Sequence, residues 1–131
     1  MERIDNMVRI VWGFVGGIAS QLIGGRDLLL MSLIALMAFD YITGVLKAFF
    51  LKQLNSKTGF WGIVKKCVIL IIVSASYLLN NILSNELPLR EIVITFFISN
   101  ESLSLLENAA VFVPIPQKLK DCLSRLNDEN K

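Results

Sequence analysis

The stretch that most constrains the fold covers residues 92–116, IVITFFISNESLSLLENAAVFVPIP. About 20 residues at about 1.5 Å each match a hydrocarbon core of about 30 Å, so this stretch is long enough to cross a bilayer. A helix with polar groups on one face lines a pore or a polar bundle interior, unless it is a soluble amphipathic helix or lies flat in the headgroup region. The polar groups share an arc of roughly 120°: Asn100, Glu101, Ser104, Glu107 and Asn108.

Composition favours a membrane protein and argues against an enzyme. Of the 131 residues, 54% are hydrophobic and 18% charged, whereas soluble domains carry roughly 25% charged residues. Histidine is absent, and Cys67 and Cys122 lack the spacing of a metal site. No phosphate loop or activated-serine motif is present, and the net charge of +2 does not suggest nucleic acid. The sequence therefore predicts no catalysis, no cofactor, no metal, no nucleic acid and no small-molecule substrate.

Four apolar segments predict an all-α integral membrane protein of one domain, residues 1–131. The transmembrane helices are expected at about 7–23, 28–50, 63–83 and 91–113, with a basic loop at 51–62 and a short amphipathic tail at 117–131. The first segment is weak because it contains Arg9 and Gln21, so an interfacial helix, which leaves three spans, is the alternative. A signal peptide fits less well, because two adjacent glycines at 16–17 interrupt its apolar region. Close helix packing is predicted at three glycines: Gly13, Gly17 and Gly44.

The second predicted helix carries a polar patch in its second half. Asp40, Thr43, Gly44 and Lys47 lie on one side of that helix. Lys47 extends to the interface without needing a special role. Asp40 lies deeper, and acids inside a membrane are rare. We expect Asp40 to face a channel or join helices; the structural alternative is an interfacial carboxylate or one paired with Lys47.

The distribution of basic residues predicts the topology. Under the positive-inside rule, the loop between the second and third helices lies in the cytoplasm. With four spans, both termini join that loop on the inner side of the membrane, leaving only Arg26 and Arg90 outside. The basic residues assigned to the loop are Lys52, Lys57, Lys65 and Lys66.

Three patches resemble the phage lysis holins of the toxin-secretion type, the family of the clostridial toxin-export holin. They are FDYITGVLKA (39–48), SKTGFWGIVKK (56–66), and NESLSLLENA (100–109) followed by VPIPQKLKD (113–121). The last pair is the most specific, since it combines E-S-x-S-x-L-x-N with P-x-P-x-x-L-K. The resemblance implies homo-oligomers that form large lesions in the bacterial inner membrane. Through these lesions an endolysin, or a folded toxin, leaves the cytoplasm during host lysis.

The polar residues supply a hypothesis for assembly. A single chain is expected to leave several of them facing lipid, so self-association that wets or pairs them is favoured. The alternatives are a non-porating membrane anchor or regulator, and a small ion channel. The residues expected to line the pore or join helices are Asp40, Thr43, Lys47, Asn100, Glu101, Ser104, Glu107 and Asn108.

Overall fold

The chain is all-helical, as the sequence predicted, in a computed structural model that describes residues 1–84 and 86–129. Two residues of the predicted tail, 130 and 131, lie outside that part. The helices of the described chain are α1 (Glu2–Ile23), α2 (Leu28–Phe50), α3 (Ser56–Ile82), α4 (Leu89–Ala109) and α5 (Gln117–Glu129).

Three described helices are long and apolar enough to cross a membrane, and they are α1, α2 and α3. Helix α1 is therefore a candidate span despite its charged residues. Helix α4 has 21 residues, but it does not join this set because polar side chains occupy its centre. A fourth span through α4 stays a prediction.

Helix α3 begins seven residues earlier than predicted, so the expected loop over 51–62 is wrong for residues 56–62. The side chain of Asn55 caps the helix by accepting a hydrogen bond from the Lys57 N–H at 2.9 Å. Gly59 and Gly62, which favoured a loop, lie inside the helix. A Cβ added at Gly59 would lie 3.4 Å from the Tyr41 hydroxyl and one at Gly62 would lie 3.6 Å from the Tyr41 ring, so both glycines face Tyr41 of α2 at ordinary contact distance.

Helix α4 ends at Ala109 rather than near 113. A hydrogen-bonded turn follows, in which the Val113 N–H donates to the Ala109 carbonyl at 2.9 Å. Pro114 has no N–H and disfavours helical geometry at Val113, so the helix cannot continue beyond this turn. At its other end, α4 begins where the Asn80 side chain of α3 accepts a hydrogen bond from the Leu89 N–H at 3.0 Å.

Helices α2, α3 and α4 form a bundle, and α4 packs against α2, α3 and α5. The centre of the bundle is apolar, while α1 joins it only through its last turn, where the Ser74 hydroxyl donates to the Leu22 carbonyl at 2.9 Å. The buried apolar side chains are Leu30, Leu33, Met37, Val73 and Ile94.

The outer surface of the bundle is strongly apolar. Large side chains point outward from each candidate span, including Phe14, Phe49 and Ile71, which are 70%, 71% and 65% exposed. All of residues 1–19 are exposed. Apolar surface of this extent is typical of a protein that faces lipid or other protein chains.

Candidate functional site

A polar layer lies beside the apolar core, where α2, α3 and α4 meet. The Lys66 ammonium of α3 donates hydrogen bonds to Asp40 of α2 and Glu101 of α4, both at 2.8 Å. The side chains of Lys66, Asp40 and Glu101 are 17%, 14% and 9% exposed. One cation thus joins three helices and faces two anions. We call Lys66, Asp40, Glu101, Asn108 and Thr43 the Lys66 cluster.

Asn108 supplies a second link between α4 and α2. Its amide donates to the Asp40 carboxylate at 3.0 Å, to the Asp40 carbonyl at 3.1 Å and to the Thr43 hydroxyl at 3.2 Å. The Thr43 hydroxyl in turn donates to the Phe39 carbonyl at 2.8 Å. Gly44 adjoins this contact, since a Cβ there would lie 3.5 Å from the Asn108 amide nitrogen. Both Asp40 carboxylate oxygens therefore have partners.

A cavity of about 470 Å³ opens onto the Lys66 cluster. Its wall includes Asp40, Glu101 and Lys66 together with Asn100 and Ser104. The cavity is large enough for several water molecules, at about 30 Å³ of liquid volume each. Charged side chains and an adjacent cavity make this layer the part of the bundle best suited to admit water.

The structure brings together six of the eight predicted pore or interface residues around this layer. The other two lie apart: Glu107 is exposed near the end of α4, and Lys47 is half-buried in the last turn of α2. The lysine that pairs with Asp40 is Lys66 and not Lys47. The six are Asp40, Thr43, Asn100, Glu101, Ser104 and Asn108.

The expectation that a single chain leaves these groups facing lipid is wrong for Asp40, Glu101 and Asn108. Each is bonded to another helix of the same chain. The reason is Lys66, which was assigned to the cytoplasmic loop. Of the four lysines in that assignment, only Lys52 lies outside a helix, because α3 begins at Ser56.

The position of Lys66 is visible in the helical periodicity of α3. Lys66 is in phase with the buried residues Val73, Ser76 and Asn80, at i+7, i+10 and i+14. Lys65 falls off that face and is exposed. Two acids that are largely buried in a helix bundle need a cationic partner, so this periodicity combined with Asp40 and Glu101 selects Lys66.

A second polar cluster closes the opposite end of the bundle, where α1 and α2 are joined. The Arg90 guanidinium of α4, only 4% exposed, donates to the Ile23 carbonyl at 2.6 Å, to the Gly25 carbonyl at 3.3 Å and to both Asp27 oxygens at 2.8 and 3.3 Å. We call Arg90, Asp27 and the 23–25 backbone the Arg90 cluster. The sequence interpretation placed Arg90 in an outer loop and missed these contacts.

Asp27 and Gly24 fit this end of the bundle for separate reasons. Hydrogen bonds from the Arg90 guanidinium and from the Leu30 N–H hold the pKa of the Asp27 carboxyl below its usual value. Gly24 ends α1 in the left-handed region at φ 94°. A Cβ there would lie 2.7 Å from the Tyr77 ring, so only glycine fits without a shift.

The fold and the polar layer define a small all-helical membrane protein whose charged side chains lie inside a helix bundle. Residues 17–128 match the bacteriophage holin family, which covers most of the chain. The protein belongs to that family.

Three relatives match most of the chain, and one of them is a probable holin. The chain is 39% identical, over 98% of its length and 99% of the relative, to an uncharacterized 14.9 kDa protein in the nagH 3' region of Clostridium perfringens. It is 40% identical to an uncharacterized Listeria monocytogenes protein, over 88% of this chain and 80% of the relative. It is also 32% identical to a probable holin of Bacillus phage phi105, over 75% and 73% of the two chains. No solved structure matches the chain.

Proposed function

We propose that this chain is a lysis holin. Copies accumulate in the bacterial cytoplasmic membrane with both termini inside and then assemble into lesions that release an endolysin or, as in the toxin-secretion type, a folded toxin. The observation that carries the proposal is the Lys66 cluster: charged groups joined across α2, α3 and α4 within a bundle whose outer surface is apolar.

The Lys66 cluster holds α2, α3 and α4 together in the single chain, which is the closed state, and its bonds break when these helices separate. In one closed chain, Lys66 neutralises one of two carboxylates, and the cluster keeps a formal charge of −1. Separating α4 from α2 and α3 breaks the bond from Lys66 to Glu101 and the bonds from Asn108 to Asp40, and the polar groups that are freed then require water or new partners. An assembly of several copies supplies both, because the same faces surround a shared water-filled lesion.

The proposed lining of the lesion follows from this separation. Six residues of the polar layer become available to water once the helices part, and Glu107 is already exposed in the single chain. Lys47 joins them from the cytoplasmic end of α2. The role of these eight residues as the lesion wall is a prediction of the proposal.

The test is lysis in bacteria that express the chain together with an endolysin lacking its own export signal. The proposal predicts abrupt lysis that requires both proteins. Glu101→Gln with Glu107→Gln is expected to change the onset of lysis while leaving membrane insertion intact. The matched control is Glu86→Gln, an exposed acid outside the helices. Lysis timing that is the same in the double variant, the control and the parent contradicts the assignment of the lesion wall.

A further inference from the structure

Helix α3 carries a basic and aromatic face near its start. Lys57, Trp61 and Lys65 follow the spacing i, i+4 and i+8, so they lie within an arc of about 80°. All three are exposed, and Trp61 is 53% exposed. Val68 and Ile72 continue the same face at i+11 and i+15 and are also exposed. The face therefore changes from cationic to apolar along the helix.

The positive charge of this face is not balanced locally. Residues 41–84 contain five lysines and neither aspartate nor glutamate. The first turn of α3 holds no acidic residue, so the partial positive charge of the helix N-terminus adds to the charge of Lys57. Among the described residues, neither Lys57 nor Lys65 forms an ion pair. The face thus presents two cations that lack a partner in the described chain.

Acids on the neighbouring helices leave a surplus of positive charge. Lys65 lines the cavity at the Lys66 cluster, but the two acids there bond to Lys66, about 100° around the helix. The third acid at this end is Glu107, which does not line that cavity and, within the described residues, forms no ion pair. Five lysines against three acids give this end of the α2–α4 bundle a net charge of +2. An anion that balances the surplus has to come from outside the bundle.

The length of α3 places this face at the membrane surface. The helix has 27 residues, or about 40 Å, which matches a bilayer together with its headgroups. Lys57 then lies among the headgroups, and Trp61 lies about 6 Å deeper, at the level where tryptophan is enriched. Lys65 lies about 6 Å deeper again, but helical side chains tilt toward the N-terminus, so its ammonium extends back toward Trp61. Val68 and Ile72 lie within the hydrocarbon core.

We propose that this face of α3 binds an anionic phospholipid. The phosphate lies beside Trp61, between the ammonium groups of Lys57 and Lys65, and an acyl chain packs against Val68 and Ile72. The two unpaired cations select an anion, and the exposed apolar residues that follow them select a lipid over free phosphate. The site requires only that α3 crosses the membrane, so it goes beyond lesion formation and does not depend on it.

The test measures the lipid preference at Trp61 in the full chain reconstituted in liposomes. The chain has two tryptophans, so Trp12→Phe, at an exposed position of α1, leaves Trp61 as the only one. Phosphatidylglycerol with brominated acyl chains is mixed with phosphatidylcholine, and in a second series the bromine is on phosphatidylcholine. Each brominated lipid quenches Trp61 fluorescence according to its occupancy beside the ring. Phosphatidylglycerol is expected to quench more strongly at equal mole fraction.

Charge variants assign that preference to the two lysines. Lys57→Gln and Lys65→Gln are each expected to lower the preference about fivefold, the contribution of one basic residue near an anionic membrane surface. The double glutamine variant is expected to show no preference. Lys57→Arg combined with Lys65→Arg keeps both charges and is expected to keep the preference. Lys52→Gln is the matched control, because it removes the same charge from the exposed turn before α3, and it is expected to leave the preference unchanged.

The lipid site is overturned when Trp61 shows no preference in the parent chain, or when the double arginine variant loses the preference. It is also overturned when Lys52→Gln has as large an effect as Lys57→Gln or Lys65→Gln, since the lysines then act only as a general surface charge. Sodium phosphate and sodium chloride at equal ionic strength distinguish a lipid from free phosphate. Equal effects of the two salts support the lipid, and a larger loss of preference in phosphate contradicts it.

Discussion

The Arg90 and Lys66 clusters both join helices through one cation, but they differ in geometry. Arg90 holds two carbonyls and both oxygens of Asp27 with its planar guanidinium, so several fixed bonds lock the 23–27 turn onto α4. Lys66 offers a single point charge to two carboxylates and adjoins a cavity of about 470 Å³. The first arrangement suits a fixed joint, and the second suits contacts that break when water enters.

The largest effect is expected at Lys66. Lys66→Met leaves two buried carboxylates without their cation, which costs about 3–5 kcal/mol. We expect that loss in denaturant unfolding of the detergent-solubilised protein, together with an earlier onset of lysis. Lys65→Met, at the exposed neighbouring position, is the matched control. If the two variants are equally stable, the Lys66 cluster does not stabilise the closed state.

A smaller effect is expected at Arg90, where the charge is kept and the geometry removed. Arg90→Lys loses the planar, several-pronged contact and is expected to cost about 2 kcal/mol. Arg26→Lys, an exposed arginine in the same turn, should leave the free energy of unfolding unchanged. The onset of lysis should move less in Arg90→Lys than in Lys66→Met; the reverse order would contradict the distinction between a fixed joint and an opening layer.

Alanine variants at Gly24 and Gly25 distinguish the cost of backbone strain from the cost of side-chain crowding at the Arg90 cluster. Both glycines have positive φ, 94° and 90°, but an added Cβ would crowd Tyr77 and Arg90 at Gly24 and would meet nothing within 4 Å at Gly25. Each alanine variant pays for left-handed geometry, and Gly24→Ala is expected to lose about 1 kcal/mol more through crowding. Unfolding of the two variants side by side measures that difference. Equal losses would show that the turn relaxes away from α3 and α4.

The smallest expected effect is a pH dependence of the free energy of unfolding that arises from the Arg90 cluster. Because the folded pKa of Asp27 is lowered, its contribution to stability is complete above the ordinary value of about 3.9 and is lost as pH falls through the lower folded pKa. In Asp27→Asn the free energy of unfolding should depend less on pH between about pH 5 and pH 2, the range over which the carboxyl takes up a proton. If acid lowers the free energy of unfolding equally in the variant and the parent, the bond between Asp27 and Arg90 does not contribute to stability.

The sequence predicted the helices and the polar face of α4 because both depend on local patterns. Asp40 and Glu101 were recognised as unusual for a membrane helix. The partner of both was missed, because Lys66 stands 26 and 35 residues away along the chain and beside a second lysine. A positive charge near the end of a membrane helix usually serves to orient the helix in the membrane. Only the helical phase that Lys66 shares with Val73 and Asn80 distinguishes it from Lys65.

The Arg90 cluster was harder to predict. Its acceptors include the carbonyls of Ile23 and Gly25, and a backbone carbonyl has no signature in a sequence. Gly24 and Gly25 lie between the helices predicted at 7–23 and 28–50, yet nothing local indicates that Arg90, more than 60 residues later, closes over this turn. The start of α3 was misplaced for a related reason: Gly59 and Gly62 serve packing against Tyr41, which depends on a different helix.

The most direct test of a lesion-forming holin is release of cargoes of increasing size from liposomes that contain the purified chain. The account predicts release of both a small dye and a folded enzyme once the protein reaches a threshold density. Release of the dye alone would contradict a large lesion and favour a small ion channel. Release of neither, from liposomes with verified insertion, would contradict the account and favour a membrane anchor or regulator.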